Sequence, residues 1–302
     1  MNHLRFLRYV DEVARAGSIR QAAERLHVAP SAVNRRLLDI EEELGTPIFE
    51  RLPRGMRLTT AGELFVRYIR GRSAELDEVR SQIEELKGLR RGRVNLVASQ
   101  ALAPTLLPEV VERFRGAHPL AAYNMRIGDH LQALDALRAY DADLALVFNL
   151  APEADIEVIA AFDQQLVALM HRDHPLAGRS GVRLRDCAEY PLVLPNREIA
   201  GRQLLERYLA RSSLKLLPMV ESNSFEFLRG CLYHAQAITF QIAVGAVTDG
   251  GALVALPLED RQFPHGRLVL ARLRGRQLPV IAHAFGECLV ASLKEMDMAP
   301  VA

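Results

Sequence analysis

The chain has 302 residues, more than one ordinary core serves, so two or three domains are expected. Hydrophobic residues make up 49% of it, which excludes a disordered tail or a low-complexity repeat array, and the formal net charge is only +1. That balance neither demands nor forbids a nucleic-acid partner, so any such claim has to come from local arrangement. Cys187, Cys231 and Cys288 are far apart and odd in number, which fits a reducing compartment and not a disulfide framework or zinc spacing. The segment Met1–Val10 carries Arg5 and Arg8 and lacks an uncharged apolar run, so no secretory leader is expected, and no stretch reaches the roughly 18 apolar residues of a membrane helix. The expected location is the cytoplasm, without a membrane partner.

Leu4, Leu7, Val10, Val13 and Ala14 recur at helical spacing and predict a first amphipathic helix that stops at Gly17. Ser18 and Gln21 have the spacing of a capping box, with Ile19, Ala22, Ala23 and Leu26 as the buried face of a short second helix. His27–Ala29 makes a tight break. Pro30 suits the first turn of a third helix, and Val33, Leu37, Ile40 and Leu44 put one face of it into a core before Gly45 ends it. The other face, at its N-terminal end, carries Ser31, Asn34, Arg35 and Arg36. An amide can read base edges there, and a guanidinium can grip guanine or phosphate.

The segment PIFERLPRGMRLT follows. Arg51, Arg54 and Arg57 flank a Pro-Arg-Gly turn with no acidic residue between them, which predicts a short hairpin, or wing, against DNA backbone or in the minor groove. From pattern alone, three short helices and a basic hairpin also suit a protein-binding module.

Residues 3–62 resemble the winged helix-turn-helix head of the LysR-type transcriptional regulators. The resemblance rests on G-S, A-A-E-R-L-H-V, E-E-E-L-G, F-E-R and L-T-x-A-G appearing in that order. It implies that the helix beginning near Pro30 reads the major groove of double-stranded operator DNA while the wing touches flanking DNA. Asn34 stands where the family usually has serine, and Pro30-Ser31 where it often has glutamine-proline.

Thr60 and Glu63 form a second candidate capping box, and a helix runs from there to about Lys87. Leu76, Val79, Ile83 and Leu86 recur at three, four and three, a short heptad-like seam. A rod of about 28 residues is roughly 42 Å long and cannot bury that seam unaided. It packs on its own chain or on a second one. Similarity to the family favours the second, a homo-oligomer (dimer or tetramer) that pairs the heads.

Gly88–Arg93 is a basic, glycine-bearing junction. Beyond it, strands are expected near Val94–Ala98, Ala121–Ile127 and 144–148, with helices near Pro104–Arg115 and Leu131–Arg138 between them. This alternation predicts an α/β sheet with mainly parallel order. A second such unit has strand candidates at Gln165–Met170, Leu192–Leu194, Lys215–Glu221 and Ala237–Phe240, and helices near Ile199–Arg211 and Phe225–His234. A strand at 267–273 and a helix near Pro279–Leu293 return to the first unit. The fold class is therefore α+β multidomain: a winged helix-turn-helix at 1–59, a linker helix at 60–88 and a two-lobed α/β domain at 89–302. Lobe I takes about 92–161 plus 267–302 and lobe II about 162–266, with crossings near Ala161–Asp163 and Pro264–Arg267.

Residues 92–293 are similar to the effector-binding domain of the same family, itself similar to periplasmic-type binding proteins. The landmarks are L-L-P at 106–108, D-A-D-L-A-L-V at 141–147, H-P-L-A at 174–177, E-S-N-S-F-E-F-L at 221–228 and L-V-A-L-P-L at 253–258. Carried over position by position, the resemblance implies an effector site of Ser99, Gln100, Asp129, His130, Phe148, Asn149, Asn196, Thr239 and Phe240. Asp129 argues against a simple anion at its corner. It binds an amine or hydroxyl of the effector, or it only caps the next helix. Ala235 and Ala237 stand where the family often has glycines.

No enzyme is expected. Ser99, Asp129 and His130 lack a G-x-S-x-G elbow, and two of them are adjacent. His171 with His174, and Cys231 with His234, fall short of a metal set, and there is no G-x-G-x-x-G or Walker loop. No metal or cofactor is therefore expected. The reading is a sequence-specific DNA-binding regulator modulated by a small molecule between two lobes, with RNA polymerase as a further partner if it activates. A DNA-binding architectural protein without effector control is the alternative.

Overall fold

The computed structural model describes residues 2–86, 91–234 and 236–296. Lys87, most of the expected basic junction, Ala235 and residues 297–302 lie outside the described residues. The chain divides into two compact units, the first reaching Ile83 and also taking Arg138–Tyr140, the second holding the rest.

In the first unit, helices α1 (Asn2–Ala16), α2 (Ile19–Leu26) and α3 (Pro30–Leu44) precede the antiparallel strands β1 (Phe49–Leu52) and β2 (Gly55–Leu58) and the helix α4 (Thr60–Leu86). Gly17 and Gly45 take the left-handed conformation that ends α1 and α3, with φ of 61° and 68°. Ser18 accepts from the Gln21 backbone N–H and so supplies one half of the expected capping box. Val10, Val13, Ala22, Ala23, Val33, Leu37, Ile48, Phe49, Val66 and Ile69 make one buried cluster, so the first half of α4 belongs to the head's core. Leu44, expected in that core, is 42% exposed because the last turn of α3 runs past it.

The cap of α4 is also not the expected one. The helix starts at Thr60, and Thr59 caps it: its hydroxyl accepts from the Gly62 N–H at 3.0 Å and donates to the Pro47 carbonyl at 2.8 Å. The backbone is so close at this point that a Cβ on Gly62 would lie 2.0 Å from the Ile48 carbonyl oxygen.

The second unit holds two five-stranded sheets. Lobe I orders β4 (Leu120–Ile127), β3 (Arg91–Ala98), β5 (Leu144–Phe148), β12 (Gly266–Leu273) and β6 (Ile156–Gln164). The first three are parallel, and β12 runs antiparallel to β5 and β6. All of β5 is buried, with Leu144, Leu146 and Phe148 in one cluster and Ala145 and Val147 in another, as a strand covered on both faces requires. Helices α5 (Leu106–Ala117) and α10 (Val280–Glu295) contribute to the first cluster, and α6 (His130–Arg138) to the second.

Lobe II orders β11 (Leu253–Pro257), β7 (Leu166–His171), β10 (Ile238–Ile242), β8 (Leu192–Pro195) and β9 (Pro218–Ser222), with helices α7 (Leu184–Cys187), α8 (Ala200–Leu209) and α9 (Phe225–Cys231). Strands β6 and β11 were not among the strands expected. Because β6 extends to Gln164 and β7 begins at Leu166, the first crossing lies at Gln165 and not at Ala161–Asp163. No helix among the described residues is long and apolar enough to cross a membrane.

The D-A-D-L-A-L-V landmark acquires a structural role. Asp143 is 2% exposed, accepts from both the backbone and side-chain nitrogens of Asn95 at 2.9 Å, and pairs with Arg276 at 2.5 Å. This ties the start of β5 to β3 and to the turn after β12. Replacing one member of a buried pair strands the other. Asp143→Ala is therefore expected to destabilise the α/β unit by about 3–5 kcal/mol in urea unfolding, with Asp143→Asn costing clearly less.

Candidate nucleic-acid interface and effector cavity

On α3, Ser31, Arg35 and Arg36 are exposed and Asn34 is half-buried. Their orientation follows from burying Val33 and Leu37, since the intervening positions of a helix must then face outward. The α3 N-terminus has Pro30 in its first turn and no side-chain cap. The Pro53-Arg54 turn joins the paired Leu52 and Gly55 at the wing's tip. The Met56 N–H donates to the Gly17 carbonyl at 2.8 Å, which fixes the wing to the end of α1.

The arginines differ in what already holds them. Arg51 donates to the Asn34 side-chain oxygen at 2.8 Å, linking wing to α3. Arg57 is bound through two nitrogens to Glu50, at 2.6 and 3.2 Å. Arg36 bonds Asp39 at 3.1 Å and stacks over the Phe6 ring at 4.2 Å. Among the described residues, Arg35 and Arg54 make no hydrogen bond or ion pair. On α4, Leu76 is half-buried, whereas Val79, Ile83 and Leu86 are 47%, 45% and 88% exposed.

In the second unit, a cavity of about 350 Å³ lies between the two lobes. Ser99 and Gln100 reach it from the end of β3, Asp129 and His130 from the start of α6, Phe148 from the end of β5 and Phe240 from β10. These six belong to the expected set. Asn149, Asn196 and Thr239 do not line it.

Asn149, at a left-handed φ of 56°, donates across the lobes to Gln203 at 3.4 Å, and Asn196 donates to Glu198 at 3.1 Å. Each thus bonds a residue that lines the cavity. Thr239 is wholly buried near the start of β10, two residues before Gln241, which shares its face of the strand and does reach the cavity.

The cavity also takes Gln132, Glu198, Gln203, Asn223, Phe225 and Gln241, which no family position had suggested. Gln132 had a legible signal, because D-H-L-Q is itself a capping-box spacing. Asp129 accepts from the Gln132 N–H at 2.8 Å while the Gln132 side chain accepts from the Asp129 N–H at 3.1 Å. The capping role of Asp129 is thus present, and its carboxylate still borders the cavity.

The remaining chemical candidates do not assemble. Burial pushes the Cys187 thiol up to about 12, with Asp186 and Asp260 adding to it, so it supplies no reactive thiolate. His174 is buried, accepts from the Leu176 N–H at 3.1 Å and packs on Tyr190. Among the described residues no group of three or more His, Cys, Asp or Glu is placed to hold a metal ion.

A winged helix-turn-helix head followed by a two-lobed α/β domain with a cavity in its cleft defines a DNA-binding regulator with a ligand-binding domain. Residues 4–63 match the model described as bacterial regulatory helix-turn-helix protein, lysR family, and residues 87–294 match that of the LysR substrate binding domain. The chain belongs to the LysR family of transcriptional regulators, a class of DNA-binding proteins and not of enzymes.

Among its relatives is the HTH-type transcriptional activator CmpR of Synechocystis sp., 24% identical over 294 residues that cover 96% of this chain and 95% of the relative. A full-length cysteine-to-aspartate variant of OxyR from Pseudomonas aeruginosa shares the fold with a TM-score of 0.75 at 21% identity, covering 95% of this chain and 94% of that one. Full-length CbnR in complex with its target DNA does so with a TM-score of 0.63 at 17% identity, covering 96% and 99%.

Replacing Asp129 tests its capping role. Asp129→Ala is expected to cost about 1 kcal/mol of stability, and Asp129→Asn only a few tenths, because an amide oxygen also caps. Equilibrium urea unfolding of the three proteins measures this.

Proposed function

We propose that the chain reads operator DNA with the outward face of α3, grips flanking phosphates with the wing, and changes its DNA-bound state when a small molecule occupies the cavity between the lobes. The observation that carries the DNA reading is the division of labour among the arginines. Arg51 holds the Asn34 amide in place for base edges, while Arg35 and Arg54 keep unsatisfied guanidinium groups on α3 and at the wing tip. Arg57 exchanges Glu50 for phosphate on binding, and Ser31 with the uncapped start of α3 receives a phosphate of the same strand.

The exposed Val79, Ile83 and Leu86 support pairing of α4 with α4 of a second copy, as a dimer or as half of a tetramer. Two tethered heads then bind far more tightly than one, on a roughly palindromic site. The effector works only by favouring one assembly geometry over another. Where the operator borders a promoter, RNA polymerase is the further partner.

Arg35→Ala is expected to lower affinity for the cognate site while leaving scrambled DNA nearly unaffected. Arg54→Ala is expected to lower both equally and to reduce the slope of log K against log salt by about 1. Titration of full-length protein against both duplexes over a salt series reads the two effects, and unchanged affinity in both variants places the interface on another face.

A further inference from the structure

We infer that the cavity selects a small, positively charged, amine-bearing molecule with an apolar body, an assignment that rests on the reading of this cavity as the effector site. Three independent features of the lining point to it.

The first is charge. Asp129 from lobe I and Glu198 from lobe II both border the cavity, and among the described residues that line it there is no arginine or lysine. Of those same residues, only His130 is able to carry a positive charge. An anionic ligand would enter as a third negative charge between two carboxylates, whereas a cation would neutralise them. The start of α8 favours negative charge, and Glu198 already stands beside it.

The second feature is Gln241. It is 5% exposed, lines the cavity, and its side-chain amide makes no hydrogen bond to the described residues. The amide is not sealed inside the protein, so its polar atoms are open to a molecule in the cavity. An N–H donor on a bound molecule would meet its oxygen.

The third feature is the walls. Phe148 and Phe240 are nearly fully buried and Phe225 is half-buried, and all three line the cavity. Phe225 offers ring surface to a hydrocarbon body and to an adjacent ammonium group, and the buried Phe148 and Phe240 back that apolar wall.

The placement of the carboxylates also couples charge to motion. Asp129 and Glu198 stand on opposite lobes, so narrowing the cleft brings two like charges together, and a cation between them removes that opposition. Binding then has the differential affinity for open and closed forms that any switch needs.

The test uses full-length protein and three probes of similar size: 2-phenylethylamine, 3-phenylpropanoate and 3-phenylpropanamide, titrated calorimetrically. In the wild type the amine is expected to bind about tenfold or more tightly than the carboxylate, and the D129N/E198Q double variant to lose most of that preference. The asparagine introduced by D129N preserves the α6 cap, so this variant folds. Ala200→Trp, which fills the cavity from the first turn of α8, is expected to abolish binding, with circular dichroism confirming the fold.

A carboxylate that binds more tightly than the amine, and is lost in Ala200→Trp, overturns the charge assignment but leaves the cavity as the effector site. Binding of any probe that survives Ala200→Trp overturns both. An amine that does not bind, or an amine preference that survives D129N/E198Q, overturns the inference.

Discussion

Burial of Val33 and Leu37 orients everything the head presents. Once those two side chains are committed to the cluster shared with α1, α2 and the first half of α4, helical geometry leaves no freedom for their neighbours. Ser31, Asn34 and Arg35 must then face away from the core. The wing is held to the same frame by the Met56 bond to Gly17, and by Glu41, whose carboxylate accepts from the Ile48 and Phe49 backbone nitrogens at 2.7 and 3.1 Å. A rigid apolar core therefore supplies a polar face without spending any core residue on it.

The α/β unit works by a related division. Strands buried on both faces make each lobe stiff, and the two connections, at Gln165 and between β11 and β12, carry the chain from one lobe to the other. The lobes also touch beside the cavity, where Thr105 donates to the Val244 carbonyl at 3.0 Å and Gly245 approaches the Ala101 backbone too closely for any side chain. Between these fixed points the cleft is lined by polar groups, several of them held by hydrogen bonds, as Asp129 is by Gln132 and Gln203 by Asn149.

Much of the head was legible because its determinants are local. Gly17, Ser18, Pro30 and Gly45 each act on the backbone within a turn of their own position, and the apolar periodicity that surrounds them is short-ranged. The errors arose where a local signal had a near neighbour of equal chemistry. Thr59 and Thr60 are both competent caps, and only the approach of the Pro47 and Ile48 carbonyls selects Thr59. Strand β6 was missed because its exposed Val158 and Ile159 and its charged Glu157 blur the alternation. Its partner β12, more than a hundred residues away, is what makes it a strand.

By itself the sequence determined the helical head with its wing, most of the order of strand and helix in the two lobes, with β6 and β11 excepted, and the residue types at the start of α6 and the ends of β3 and β5. Those are consequences of side-chain periodicity and backbone preference, which act over a few residues. Only the tertiary structure decided which polar groups share one cavity: that Glu198 faces the same space as Asp129, that Gln241 joins them with its amide unbonded to the described residues, and that Asn149, Asn196 and Thr239 stand outside it. The physical reason is that a cleft between lobes is built by non-local strand pairing and crossover. Neighbours in that cleft are chosen by the sheet order and not by distance along the chain.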